Sequence, residues 1–175
     1  MSLSPRPTLE TGTTSFAAAA EAHLEDVHAY LVYLTGDRCL AEDLTAAAFE
    51  KALSLWRRFD PRRASARTWL CQIARTTTLD YFRAEKRRKR REDVYTLGER
   101  GVEDGAFGDG LSPELERALA ALSASEREVV VLRVVLDLDG ETAARILGIS
   151  LTNCTTRLHR ALRKLEERME SHVAA

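Results

Sequence analysis

The chain has 175 residues, of which 45% are hydrophobic and 30% charged, and it carries a formal net charge of −1. This composition predicts one or two small folded domains and argues against a membrane protein, because no apolar run approaches the roughly 20 residues of a spanning helix. Three cysteines, Cys39, Cys71 and Cys154, lie far apart and lack metal-ligand spacing. They predict reduced thiols in a cytoplasmic protein, with no metal and no cofactor.

The first ninety residues predict three helices, each with one apolar face that only the other two can cover. Residues 1–13 are rich in Ser, Thr and Pro and are predicted to form a mobile tail. The first helix should begin at Thr14 or Ser15, end before Gly36 and be followed by a helix capped by Asp37. The predicted apolar stripe of the first helix contains Phe16, Ala20, Leu24, Val27, Leu31 and Leu34.

The second and third helices are predicted on either side of a short basic loop. Asp60-Pro61 should end the second helix, because proline disfavours helical backbone in the residue before it. Ser65 should cap the third helix, which runs into a basic block from Arg83 to Arg91. Such a helical hairpin predicts a nucleic-acid phosphate backbone as its partner. The predicted apolar stripe of the second helix is Leu44, Ala48, Ala52, Leu55 and Phe59. That of the third helix is Trp69, Leu70, Ile73, Ala74 and Thr77.

Residues 93–111 are predicted to be a flexible linker, because they are rich in glycine and acidic residues and contain few apolar side chains. The glycines do not indicate a nucleotide-binding loop, since no strand precedes them and no Gly-Lys-Ser/Thr follows. Structure resumes at Ser112, and Ser123 with Glu126 predicts a capping box. Val129–Val135 is valine-rich and compatible with a strand, but the capping box before it favours a buried helix.

Residues after Asp139 predict a helix-turn-helix. A short helix with small Ala144 is followed by a turn at Gly148 and a longer helix. The longer helix should bury Cys154, Leu158, Ala161, Leu162, Leu165 and Met169. Its other face can enter a major groove, where Arg suits guanine and Asn suits adenine; the alternative is a structural hairpin with a solvated basic face. The candidate DNA contacts are Thr152, Asn153, Thr155, Thr156, Arg157, His159, Arg160, Arg163 and Lys164.

Two motifs resemble the extracytoplasmic-function (ECF) sigma factors, which are promoter-recognition subunits of bacterial RNA polymerase. AEDL…F..A…W..F with A.TWL..IAR….D..R resembles their second conserved region. AL..L…..EVVVLR………A.ILGIS…..RLHRALRKL resembles their fourth. The resemblance implies an all-α fold of two helical domains, region 2 over residues 14–92 and region 4 over 112–170, with a tail at 171–175.

The resemblance also implies a role for each helix. The recognition helix would read a duplex −35 element, and the second helix would dock on the polymerase core. For Leu44, Phe49 and Trp56, plain core packing competes with docking; for Trp69, core packing is favoured over base stacking. The implied docking residues are Glu42, Asp43, Leu44, Phe49, Lys51, Ala52 and Trp56. The residues implied to read the melted −10 element are Arg62, Arg63, Ser65, Arg67, Thr68, Trp69, Gln72, Arg75, Thr76, Asp80 and Arg83.

Other interpretations remain open. The sequence contains no Ser/His/Asp set, no P-loop and no metal cluster, so it does not predict an enzyme. A helix-turn-helix regulator that binds duplex DNA without polymerase is one alternative. A protein that only occupies the polymerase is another, because Ala46, Ala47 and Thr76 replace residues usual in the family.

Two further partners are implied by resemblance. An anti-sigma protein often holds members of the family inactive. The ending Val173-Ala174-Ala175 resembles tails recognised by ClpXP-type proteases, although a chance alanine end in an alanine-rich chain is the favoured explanation.

Overall fold

The computed structural model describes residues 15–91, Phe107 and residues 111–173. The tail 1–13, most of the predicted linker 93–111, and Ala174-Ala175 of the predicted degron lie outside them. All regular structure in the described part is helical, and none of its helices is long and apolar enough to cross a membrane. The helices are α1 (Phe16–Thr35), α2 (Arg38–Leu55), α3 (Ala66–Arg91), α4 (Pro113–Ala120), α5 (Ala124–Val130), α6 (Gly140–Leu147) and α7 (Leu151–Val173).

The predicted helix caps of the first half are confirmed. The Ser15 hydroxyl accepts from the Ala18 amide at 3.2 Å, and the Asp37 carboxylate accepts from the Leu40 amide at 2.8 Å. Both satisfy an amide that has no partner within its own helix. Gly36 ends α1 with a φ of 65°, in the left-handed region that glycine adopts without steric cost.

Helices α1, α2 and α3 pack against one another and bury Val27, Leu31, Ala48 and Leu70 between them. Helix α2 is shorter than its predicted stripe, because it tightens into a 3-10 turn at Trp56–Arg58 before the chain reaches Asp60. The prediction was wrong for Leu24, whose side chain lies on the solvent side of α1 and is 48% exposed.

In the second half, Ser112 caps α4, and Ser123 and Glu126 form the predicted capping box at the start of α5. The valine-rich run is helical as predicted, since α5 continues into a π turn at Val131–Val135. The wider turn breaks the helical register of the apolar positions. Val134 and Val135 consequently face solvent.

The helix-turn-helix is formed by α6 and α7. Asp139 caps α6 through the Thr142 amide at 2.9 Å, and Gly148 makes the turn with a φ of 66°. Helix α7 buries Cys154, Ala161 and Leu165 as predicted. Leu162 and Met169 were also predicted to be buried, but they are exposed, because only one narrow side of α7 contacts α4, α5 and α6. Helix α7 continues to Val173, three residues into the predicted tail.

The two helical halves pack against each other through α1 on α5 and α3 on α6. Their buried apolar side chains form one continuous cluster. Phe107, from the predicted linker, is part of this cluster and is stacked on Tyr33 of α1, with 5.2 Å between ring centroids. The prediction of a linker that buries little apolar surface did not anticipate this contact.

Candidate nucleic-acid interface

The loop before α3 presents two exposed arginines. The Asp60 carboxylate accepts from the Arg62 amide at 2.9 Å, which fixes a turn and leaves the side chains of Arg62 and Arg63 in solvent. Ser65 caps α3, since its hydroxyl accepts from the Thr68 amide at 3.1 Å. Two cations therefore stand beside the positive end of a helix dipole, where a phosphate is stabilised.

A polar face runs along α3 from this loop. Gln72, Thr76, Asp80 and Arg83 follow one another at spacings of four, four and three residues, so they share one side of the helix. Thr76, Asp80 and Arg83 are exposed and Gln72 is half-buried. Asp80 lies 3.2 Å from Arg83 and 3.8 Å from Lys51 of α2, and these ion pairs join the predicted −10 and docking residues.

Two of the predicted −10 residues face inward. Thr68 is buried and its hydroxyl lies 2.9 Å from that of Ser65. Trp69 is half-buried among other aromatic rings, with its centroid 5.7 Å from Trp56 and 5.4 Å from Phe59. These contacts place Thr68 and Trp69 in the helical packing, in agreement with the favoured interpretation of Trp69.

Two arginines of α3 are engaged by acids from other helices. Arg67 lies 2.7 Å from the Asp26 carboxylate of α1. The Arg75 Nε donates to the Glu128 Oε1 of α5 at 2.8 Å, and the Tyr30 hydroxyl donates to the same oxygen at 2.6 Å. Burial, and then the Glu128 charge, raise the pKa of Tyr30 well above its usual value, so its hydroxyl stays a neutral donor.

Glu128 and Tyr30 were missed by the sequence analysis. The available signal was the position of Glu128 next to the apolar run Val129–Leu132, because a charge that is buried with such a run requires a partner. The preceding Arg127 is also buried and donates to the Tyr33 carbonyl at 3.2 Å and to the Leu122 carbonyl at 2.5 Å. Its guanidinium lies 6.0 Å from the centre of the Phe107 ring. Residues 127 and 128 thus bring polar groups of both halves together.

The recognition helix presents its predicted face to solvent. Asn153 lies in the first turn, where its backbone N–H donates to the Ser150 hydroxyl at 3.2 Å. Arg157 is half-buried beside this face. The exposed members are Thr152, Asn153, Thr155, Thr156, His159, Arg160, Arg163 and Lys164. The hydroxyls, the amide and the cations are therefore available at the end of α7 that a groove would receive.

Lys164 differs from its neighbours because it is paired across helices. Its ammonium lies 2.5 Å from the Glu126 carboxylate of the α5 capping box. Partial burial opposes the Glu126 charge, but hydrogen bonds from Lys164 and Ser123 outweigh burial and lower the Glu126 pKa below its usual value. Arg163 lies 3.5 Å from Glu167 on the same helix.

The outer side of α2 is the candidate docking surface. Leu44 and Ala52 are buried in the bundle, so the docking prediction does not fit their position. Phe49 and Trp56 are half-buried against Phe16, with centroid distances of 6.4 and 5.4 Å. The residues of α2 that face solvent include Glu42, Asp43, Ala46, Ala47, Glu50 and Leu53. Leu53, 58% exposed, was not among the predicted docking residues.

Comparisons with known proteins agree with the two-part helical fold. Residues 19–88 match the family model for Sigma-70 region 2, and residues 112–165 match that for Sigma-70 region 4. The ECF sigma factor SigL of Mycobacterium tuberculosis is 32% identical over 86% of this chain and 92% of its own. The ECF sigma factor SigX of Bacillus subtilis is 27% identical over 89% of this chain and 84% of its own.

Two solved structures share the fold. The sigma factor RpoE of Bartonella quintana, in complex with the anti-sigma factor NepR, superposes with a TM-score of 0.76 at 24% identity. That match covers 89% of this chain and 96% of the other. CnrH, in complex with the cytosolic domain of CnrY, superposes with a TM-score of 0.64 at 21% identity over 92% and 91% of the two chains.

Proposed function

Because the chain belongs to the sigma-70 family and to its ECF subfamily, we propose that it directs bacterial RNA polymerase to promoters by reading two elements with two helices. The observation that carries this proposal is the pairing, in one chain, of a polar and basic α3 with a helix-turn-helix whose second helix faces solvent. The protein is not an enzyme, and its site of action is the cytoplasm, where the polymerase works.

The −35 element is read by α7. Asn153, Arg157 and Arg160 supply groups that suit adenine and guanine edges in a major groove. The threonines and His159 contact phosphates or thymine methyls. Arg163 lies further along α7 and contributes charge to the DNA backbone. Lys164 contributes least, because Glu126 already neutralises it.

The −10 element is read by the loop at Arg62 and Arg63 and by the exposed side of α3. A melted strand requires cations for its phosphates and small polar groups for its bases. Gln72, Thr76 and Arg83 provide these along one side of the helix.

The polymerase contact lies on the outer side of α2. Glu42 and Asp43 at its N-terminal end and Leu53 near its C-terminal end are the exposed groups available to a partner. Lys51 lies at the border with the α3 face. Leu53 has Glu50 one turn before it and Arg57 one turn after it. An exposed apolar anchor with polar groups beside it is typical of a protein interface.

The test is co-purification with bacterial core polymerase, followed by transcription from a pool of randomised promoters. We expect the chain to bind core and to select a −35 and −10 pair. Arg160→Ala should change the selected −35 sequence and leave core binding intact. Binding without transcripts would make the chain an occupier of polymerase, and duplex binding without core would make it an autonomous regulator.

Two partners remain proposals. An anti-sigma protein would hold the chain inactive; RpoE of Bartonella quintana was solved in complex with such a protein, NepR. A ClpXP-type protease would recognise the end of the chain. Replacing Ala174 and Ala175 with aspartate should lengthen the cellular half-life, and an unchanged half-life would remove this proposal.

A further inference from the structure

The first arginine of α3 lies on the side of the helix that faces the other helices. Arg67 and Thr76 are nine residues apart, which is about two and a half helical turns. Arg67 is therefore on the opposite side of α3 from the exposed polar face to which Thr76 belongs. It shares its own side with Cys71 and Thr78, both of which are buried. This position does not fit the contact with the −10 strand that the family resemblance implies for Arg67.

An ion pair joins Arg67 to α1. The Arg67 Nε lies 2.7 Å from the Asp26 Oδ2, and the two side chains are 27% and 35% exposed. The Nε is buried, and its N–H is not directed at the oxygen as in a hydrogen bond, so the attraction is between the two charges. A pair that is partly shielded from water is screened less than one on an open surface. The pair therefore connects the first turn of α3 to the middle of α1.

This connection holds one end of the basic loop, which we define as residues 60–65. Ser65 ends the loop and caps α3, where its hydroxyl accepts from the Thr68 amide at 3.1 Å. At the start of the loop, the ring of Phe59 is stacked on Trp56, with 4.7 Å between the centroids. Both ends of the basic loop are thus attached to helices of the first half.

The attachment matters for the two cations that the basic loop carries. Arg62 and Arg63 are exposed and are the groups that we propose for the phosphates of the −10 strand. A segment that becomes ordered only on binding weakens the affinity by the entropy it loses. A loop whose backbone is already held loses less, and it binds the strand more tightly.

We propose that Arg67 is a positioning residue, which Asp26 holds so that the basic loop is ordered before the −10 strand binds, and that Arg67 does not itself contact the strand. The ordering of the loop concerns the free chain alone. Its benefit to strand binding rests on the proposed function.

The first experiment measures the order of the loop end without any partner. Hydrogen exchange followed by NMR reports on the amides of Thr68 and Trp69, which donate to the hydroxyl and the carbonyl of Ser65. Asp26→Asn removes the charge that holds Arg67. Both amides should then exchange about two- to fivefold faster, which is the effect expected from the loss of one partly exposed ion pair.

The matched control is Glu25→Gln, which removes a charge from the adjacent, exposed position of α1. It should leave the exchange of Thr68 and Trp69 unchanged. Circular dichroism and cooperative urea unfolding establish that both variants are folded. Equal exchange of these two amides in Asp26→Asn and in the control would overturn the positioning role of Arg67.

The second experiment separates positioning from contact with DNA. It measures how tightly the chain, bound to core polymerase, holds a single-stranded oligonucleotide that contains the selected −10 element. Arg67→Asp should weaken this binding about fivefold or more, because two acids would then face each other. Adding Asp26→Arg exchanges the charges of the pair and should return the affinity to within about twofold of the unchanged chain. If Arg67 contacted the strand, the exchanged pair would bind as weakly as Arg67→Asp, because an acid would face the phosphates.

A duplex oligonucleotide that contains only the −35 element provides the comparison. It should bind the unchanged chain, Arg67→Asp and the exchanged pair equally, because α7 lies in the other half. An equal loss of both affinities in Arg67→Asp would show general structural damage and would contradict a role in the basic loop. If the unchanged chain binds neither core nor oligonucleotide, the proposed function is wrong, and hydrogen exchange still decides whether Arg67 positions the loop.

Discussion

The two predicted DNA-reading helices differ in how far their side chains are already engaged. On α7, Asn153 and Arg160 project into solvent from a helix whose buried side holds it on the second half. On α3, Arg67 and Arg75 lie against Asp26 and Glu128 from other helices. A helix that reads duplex DNA needs no rearrangement of its exposed side chains, because the major groove is already formed. The helix predicted to read a melted strand instead has two arginines that are already paired with acids of the same protein.

The largest effect is expected from Arg75→Ala, because it removes the counter-charge of a buried carboxylate. We expect the free energy of unfolding to fall by about 3 kcal/mol, the cost of leaving one member of a buried pair alone. Urea unfolding followed by circular dichroism measures this. Arg83→Ala is the control on the same helix, because its exposed pair with Asp80 contributes little. Equal stability of the two variants would mean that Glu128 does not depend on Arg75.

The opposite pattern is expected for Arg160→Ala on α7. Its stability should stay within about 0.5 kcal/mol of the unchanged chain, since an exposed side chain is lost. Transcription should fall about 10- to 100-fold on the selected promoter, the range of one arginine–guanine contact. Promoters with one altered −35 base pair should be less affected. Arg163→Ala, as control, should weaken all promoters to a similar degree; a uniform loss in Arg160→Ala would contradict base reading.

The turn that aims α7 gives an intermediate effect. Gly148 has a φ of 66°, and a Cβ added there would meet nothing within 4 Å, so Gly148→Ala tests backbone conformation alone. We expect a loss of about 1 to 2 kcal/mol in unfolding free energy, measured by urea unfolding. Gly140→Ala is the counterpart within α6, where the new Cβ would lie 2.9 Å from the tip of Leu151. The flexible Leu151 can move, and the gain in helix propensity offsets the strain, so Gly140→Ala should change stability little.

Local chemistry explains what the sequence could predict. The caps at Ser15, Asp37, Ser123 and Asp139 are confirmed, because each joins groups within three residues of one another. The turn at Gly148 is confirmed for the same reason.

Contacts between distant segments were not predictable in this way. Glu128 meets Arg75 and Tyr30 across 53 and 98 positions, and no local pattern indicates which donors a buried acid will find. Val134 and Val135 are exposed because a π turn interrupts the helical period on which the prediction relied. The exposed face of α7 was predicted largely correctly, since one helical period specifies it. The ion pairs of Arg67 and Arg75 on α3 were missed, since they depend on how the helices pack against one another.

The smallest effect concerns Lys164 of α7, which, like Arg67 and Arg75 of α3, pairs with an acid of another helix. Lys164 pairs with Glu126, whose pKa is lowered, so the pair stabilises the fold above the unfolded-state pKa of about 4.3. That stabilisation is lost as pH falls through the lower pKa of the folded state. Glu126→Gln keeps the capping acceptor, because Gln also serves at this position, and removes only the charge. It should cost about 0.5 kcal/mol at pH 7.

The pH dependence separates this pair from a simple loss of packing. In urea unfolding, the stability difference between the unchanged chain and Glu126→Gln should shrink between about pH 5 and about pH 3, where the carboxylate becomes protonated. Exposed Glu50→Gln, in the interior of α2, is the control and should show no such convergence. If the difference is the same at both pH values, the charge of Glu126 does not contribute. Lys164 would then be as available to DNA as Arg163, and the whole exposed side of α7 would be available for DNA contacts.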